Sequence, residues 1–318
     1  MKFIDADAIH QALDYSYFVD ALEQAHIHNT ETMDDLLLEQ PGNLGTPSHF
    51  FIRAAWQKGR SVGAKVITIF PDNNKDDRGY PSIQAIYILF DGDTGEPLAC
   101  IDGTALTARK TAGDSALGVK HLARQNVERM FMIGAGSMAP HLIMAHCATR
   151  PSIRKVSIWN RTKQKAEAIA NELNINNVQF DVIDDIESGV RNADLVSSAI
   201  ATPTPVIKGE WLRPGTHVDL VGAFTKTMRE ADDEVFRRAK IYVDSRTSTI
   251  GEIGEITIPL QTGVFAEDDI VADHYQLSRG EKPGRTSDDD ITVCKNGGGG
   301  HLDLMTARLI YDRVSQDI

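Results

Sequence analysis

Apolar residues change their spacing twice along this chain, and each change marks a different kind of structure. A short apolar pair at 3–4 reads as a strand, and residues 14–28 place Phe18, Leu22 and Ala25 on one helical face. From residue 50 to residue 101 the apolar runs become short and β-like, at 50–56, 61–70, 82–90 and 97–102. The residues Asp91, Gly92, Asp93, Thr94 and Gly95 read as a hairpin turn, so this region predicts a mostly antiparallel sheet. An alanine-rich helix over 105–123 leads out of it.

Beyond that helix, strands and helices alternate. Strands are expected at 130–133, 155–159, 178–182, 195–200, 217–222 and 241–244. Helices are expected at 184–190, where Asp184 and Glu187 have capping-box spacing, and at 229–238. Such alternation implies a parallel, doubly wound sheet. After Asp273 the pattern weakens into a polar loop at 279–290, a strand at 291–294, a glycine run at 297–300 and a closing helix at 302–314. That last helix needs an apolar face to cover, and the first domain is expected to supply it. With 318 residues, two domains are the natural expectation.

The strand at 130–133 runs directly into Gly134, Ala135, Gly136, Ser137, Met138 and Ala139, a dinucleotide fingerprint with alanine at the third small position. Gly134 permits the turn, Gly136 lets backbone approach a pyrophosphate, and Ala139 lets the helix pack on the strand. The helix N-terminus offers N–H groups and partial positive charge to the phosphates. A ribose reader is needed where the strand at 155–159 ends. NAD-preferring sites carry a carboxylate there; this chain has Asn160, Arg161 and Thr162, followed by Lys163 and Lys165. An amide, a guanidinium and a hydroxyl suit a 2′-phosphate, so NADPH is expected, with NADH as the alternative. The plainer reading makes Thr162 a helix N-cap and the lysines a solvated face. Ser198 to Thr202, including Ala199, and Gly222, Ala223 and Phe224 follow later strands and are expected to line the nicotinamide and its ribose, or to be ordinary turns.

Composition narrows the partners. A formal net charge of -12 argues against nucleic acid and requires local cations wherever an anion is held. Cys100, Cys147 and Cys294 form no CxxC pair and read as reduced thiols of a cytoplasmic protein. The acidic N-terminal residues lack a signal-peptide core and no apolar run is long enough to span a bilayer, so no membrane role is expected. The histidines show no metal-ligand spacing, so no metal is expected; only His301, after the glycine run, is worth following.

Two cations stand inside apolar strands, where an unpaired charge is costly. Lys65 shares a strand face with Gly63 and Ile67, opposite Ala64 and Val66. A substrate carboxylate would supply the anion it needs; the alternatives are a structural ion pair or a lysine that snorkels at a sheet edge. Arg53 is the second. On the alanine-rich helix, Arg109 and Lys110 point about 100° apart and cannot face one cleft together.

These residues resemble the ornithine cyclodeaminase/μ-crystallin family over nearly the whole chain. The resemblance is carried by residues 65–73, 79–84, 106–112, 134–136, 159–162, 222–225, 228–233, 279–281 and 284–287. It implies an α/β fold: a Rossmann doubly wound parallel sheet at 113–298, plus an α+β substrate-binding and dimerisation domain from 1–112 and 299–318. It implies a homodimer, and it adds Ser82 and Asn296 to the cofactor contacts. Within the family the pattern is similar to imine reductases acting on Δ1-pyrroline-2-carboxylate and Δ1-piperideine-2-carboxylate. Cyclodeaminases resemble Gly-Gly-Asp where this chain has Gly222, Ala223 and Phe224, and the missing aspartate is the acid that deamination uses. The alternatives are a lyase, either ornithine cyclodeaminase or hydroxyproline dehydratase in type, and a non-enzymatic NADPH-dependent binder. Two departures bear on the substrate: the family's arginine becomes Lys110, and residues 26–52 contain no Lys or Arg. The expected carboxylate clamp is therefore Arg53, Lys65 and Lys110, holding a small cyclic imino acid toward a reduced nicotinamide. Lys65 or a water is the expected proton source, and because the adjacent cations oppose protonation of the imine nitrogen, a shielding carboxylate between them is needed.

Overall fold

The computed structural model describes residues 1–42, 44–75 and 79–316. The chain divides into two compact units, Met1–Lys110 with Gly299–Ile318, and Thr111–Gly298.

The first unit begins with β1 (Lys2–Ile4), α1 (Ala6–Ala12) and α2 (Tyr15–Ala25), then β2 (Glu31–Thr32), β3 (Leu36–Gln40), β4 (Ser48–Gln57), β5 (Ser61–Ile69), β6 (Ile83–Asp91) and β7 (Pro97–Asp102). Asp5 and Asp14 accept backbone N–H bonds at the starts of α1 and α2. The strands form one sheet in the order β1-β7-β6-β5-β4-β2, with β3 also on β4; every pairing is antiparallel except β1 with β7. Period-two alternation sorts their side chains. Arg53, Lys65 and Tyr87 are cross-strand partners and share one face. The other face carries Phe50, Ile52, Trp56, Val66, Ile86 and Ile88, of which Phe50, Trp56 and Ile86 are exposed. The helix α3 (Gly103–Leu122) follows β7.

The second unit contains β8 (Arg129–Ile133), α4 (Met138–Thr149), β9 (Lys155–Trp159), α5 (Lys163–Glu172), β10 (Gln179–Val182), α6 (Ile186–Asn192), β11 (Leu195–Ser198) and β12 (His217–Leu220). It continues with α7 (Asp233–Arg238), β13 (Lys240–Val243), α8 (Arg246–Thr249), α9 (Gly254–Gln261), β14 (Ile270–Asp273), α10 (His274–Ser278) and β15 (Thr292–Lys295). The order β10-β9-β8-β11-β12-β15-β13-β14 is parallel throughout, and the direction of winding reverses between β8 and β11. The four residues of β11 are all buried, as are those of β12, as expected of strands covered on both sides. The last helix, α11 (Gly300–Gln316), returns to the first unit and packs on β4, β5 and α2.

Several boundaries differ from the sequence expectation. The helix expected at 184–190 begins at Ile186, and its cap is Asp185, which accepts the Ser188 N–H at 2.8 Å. The helix expected from residue 229 starts only at Asp233, because Asp232 is the cap. The strands expected to reach residues 200 and 222 stop at Ser198 and Leu220, and the residues beyond them turn at the sheet edge.

Candidate active site

At the reversal point the second unit has a cleft of about 480 Å³, lined by Gly134, Ala135, Gly136, Trp159 to Thr162, Lys165, Ala199 to Pro203 and Val206. Each group follows a parallel strand, which is where a doubly wound sheet binds ligands. Gly134 has φ +104°, and a Cβ there would stand 2.9 Å from the Ala199 carbonyl oxygen, so the turn requires glycine. Gly136 is different: a Cβ would meet no protein atom within 4 Å. Its bare backbone leaves space that the chain itself does not fill. Arg161 and Lys165 are the charged lining residues, with no carboxylate beside them, in a chain of net charge -12. This donor set fits an anionic nucleotide.

The individual residues divide between contact and support. Asn160 is committed to bracing the turn: its Oδ1 accepts the Ala135 N–H at 3.1 Å and its Nδ2 donates to the Thr162 carbonyl at 2.8 Å. Thr162 occupies the N-cap position of α5 but makes no side-chain cap bond, and Lys163 is held by Asp184 at 2.9 Å. Ser137 is exposed at the start of α4, with Met138 half-buried behind it. Gly222 is pressed against the preceding loop, since a Cβ would lie 2.2 Å from Ile200 N; Ala223 is buried and Phe224 is exposed. The Asn296 amide donates to the Thr111 carbonyl at 3.1 Å and the Ser115 hydroxyl at 3.2 Å, so its side chain anchors α3. Ser82, in the first unit, is half-buried in the bend before β6.

The expected cation cluster is rearranged around a residue the sequence reading did not single out. Asp303, on the first turn of α11 and fully buried, accepts from Lys65 Nζ at 3.0 Å and from Lys110 Nζ at 2.9 Å. Lys65 also reaches the Thr107 hydroxyl at 3.4 Å, and Lys110 the Gly299 carbonyl at 3.4 Å. Burial would raise the Asp303 carboxyl, but Lys110 and Lys65 outweigh it and hold it down at about 2. Burial lowers Lys65 to about 8, with Asp303 opposing and Lys110 adding to the fall. Two buried ammonium groups thus share one carboxylate, leaving one positive charge in excess.

Arg53 does not join this cluster as a free cation. Asp35 takes its guanidinium in a two-point pair, Nε at 2.9 Å and Nη2 at 2.6 Å. Arg109 turns to the other side of α3, donating to His10 Nδ1 at 3.0 Å and lying 4.5 Å from the centre of the Tyr15 ring. The sequence clues to Asp303 are the counter-ion that buried Lys65 requires and the shielding carboxylate that the clustered cations require.

A sequence model described as the ornithine cyclodeaminase/mu-crystallin family matches residues 52–317. The chain is 42% identical over 292 residues to the Delta(1)-pyrroline-2-carboxylate reductase of Paracoccus denitrificans, covering 92% of this chain and 90% of that one. Among solved structures, the Thermococcus litoralis Delta(1)-pyrroline-2-carboxylate reductase in complex with NADH and L-proline aligns with TM-score 0.89 at 27% identity, over 100% of this chain and 98% of that one. An archaeal alanine dehydrogenase dimer with bound NAD aligns with TM-score 0.88 at 25% identity, over 100% and 97%.

Proposed function

We infer the function from one premise: this chain belongs to the ornithine cyclodeaminase/mu-crystallin family. It is an NAD(P)H-dependent oxidoreductase that reduces a cyclic α-imino acid, Δ1-pyrroline-2-carboxylate to L-proline, with the six-membered Δ1-piperideine-2-carboxylate as a second substrate. The name of the Paracoccus relative and the NADH and L-proline held by the Thermococcus structure support this reading. The observation that carries it is the excess positive charge of the Lys65, Asp303 and Lys110 cluster. A single substrate carboxylate is the anion that balances it.

When bound, the reduced dinucleotide supplies hydride to the imine carbon. Gly134 to Gly136 and the N-terminus of α4 hold its pyrophosphate, while Arg161, Thr162 and Lys165 read a 2′-phosphate and favour NADPH. Lys65 and Lys110 bind the substrate carboxylate and fix the ring, which supplies much of the rate. Asp303 stays ionised and screens the two ammonium groups, so that a protonated imine is tolerated beside them. Lys65, already lowered to about 8, gives its proton to the ring nitrogen and regains one from water. Phe224 occupies the place of the acid that a deaminating lyase would use. The protein works as a homodimer, joined through the exposed apolar face of the first unit's sheet.

The test is NADPH oxidation with the five- and six-membered cyclic imines, alongside pyruvate plus ammonia and a separate assay of ammonia release from ornithine. Turnover of a cyclic imine that disappears in Lys65→Met, with NADPH binding retained, is the expected result. Ammonia release from ornithine without net cofactor change would replace the reductase with a lyase. NADPH binding without turnover of any imine would leave a binding protein.

A further inference from the structure

Glu230 has no part in the chemistry above, yet it is fully buried and bridges the segment after β11, which lines the cleft, to the segment after β12. Its Oε1 accepts from the Ser198 hydroxyl at 2.6 Å and the Ile200 N–H at 3.2 Å. Its Oε2 accepts from the Gly222 N–H at 2.6 Å and the Ala223 N–H at 3.0 Å. One oxygen therefore holds the segment after β11 and the other holds the segment after β12. Lys295, 4.0 Å from Oε2, donates to the Leu220 carbonyl at 3.0 Å and ties the end of β15 to the same point. The backbone of Glu230 is itself fixed, since its N–H donates to Glu255 at 2.6 Å.

What Glu230 holds is one wall of the cleft: Ala199, Ile200, Ala201 and Thr202 line it. In a doubly wound sheet the fingerprint turn and the second strand end take the adenylate half of a dinucleotide, and the strand ends across the reversal take the nicotinamide half. We propose that Glu230 is a positioning residue for the nicotinamide half, fixing the 199–202 wall against the 222–223 loop so that the ring is presented in one orientation. This rests on reading the cleft as a dinucleotide site, and is independent of which imine is reduced.

Glu230→Gln keeps the shape but replaces one acceptor oxygen with an NH2 group, which must then face donors on one of the two segments. The probes are the dinucleotide that the wild type binds more tightly, NADPH or NADH, and its matching half, 2′,5′-ADP or AMP, titrated by calorimetry. Reduced-nicotinamide fluorescence reports on the ring separately. Affinity for the half-molecule should stay at the wild-type value, while dinucleotide affinity falls about tenfold and the bound-ring emission shifts toward that of free cofactor. With imine present, kcat should fall more than KM rises, and Glu230→Asp should restore part of the loss. Ser198→Ala, which removes one donor of four, should shift the same readouts in the same direction by less, and carries the comparison if Glu230→Gln does not fold. Unchanged dinucleotide affinity and emission in these variants, or an equal loss for the half-molecule and the whole, would overturn the proposal. Wild-type protein that binds the dinucleotide but turns over no imine would remove the substrate assignment and leave the role of Glu230 standing.

Discussion

Lys65 and Asp303 lie buried against each other, and the proposed mechanism uses them through their charge. Burial brings Lys65 down to about 8, so on the proposed mechanism the form that gives a proton is lost above that pH. We expect kcat/KM for the imine to fall about tenfold per pH unit on the basic side. Lys65→Arg, whose guanidinium keeps the charge but gives up no proton at accessible pH, should still bind the imine while kcat falls steeply; a wild-type profile flat to high pH would remove Lys65 as donor. The sign for stability is the reverse. Because folding lowers this lysine from 10.5 to about 8, the unfolded chain binds more protons in that window, and stability rises with pH across it. Asp303 has the same sign in a different window: its contribution is present above 3.8 and is lost as pH falls toward about 2, but here the lowered pKa stabilises the fold, whereas that of Lys65 costs stability below about 8. Asp303→Asn leaves two buried ammonium groups without their carboxylate and should cost about 3–5 kcal/mol in denaturant unfolding. A loss much smaller than that would mean that water already shares the cluster.

At the level of elements, two glycines at the sheet edge separate binding from folding. A Cβ at Gly136 would meet no protein atom within 4 Å, so Gly136→Ala should leave the melting temperature near wild type while weakening dinucleotide binding at least about tenfold. Gly222→Ala would force a Cβ to 2.2 Å from Ile200 N, and should lower both stability and binding. Wild-type binding in Gly136→Ala would mean that the pyrophosphate lies elsewhere. The alternation of β and α after residue 123 was legible because strands such as β8 and β11 are largely buried apolar runs ended by turn residues. Other elements were hidden for definite reasons. β3 holds Leu36, Leu37 and Leu38 in succession, a run with no period-two signal, and all three are exposed. α9 carries Pro259 inside it, which in a bare sequence argues for a break. Lys65 declared itself as a charge in an apolar strand, whereas Asp303 is one acid near the start of a terminal helix, and only tertiary packing gives it a partner.

At the scale of the whole molecule, the first unit's sheet is covered on one face and open on the other. Phe50 is 38% exposed, Trp56 51% and Ile86 42%, and such an apolar patch is what a second copy of the chain would bury. Ile86→Glu should convert the dimer to monomer in size-exclusion chromatography with light scattering; a monomeric wild type would remove the homodimer from the proposal. The two units also differ in how the chain visits them. Residues 111–298 form one continuous stretch, but the first unit is completed only by 299–318. During synthesis, therefore, Lys65 and Lys110 wait without their carboxylate until residue 303 has been added, when the second unit already has all its strands. A nascent chain stalled before residue 303 holds two charges that its own interior cannot neutralise, and the arrival of α11 decides whether the first unit folds.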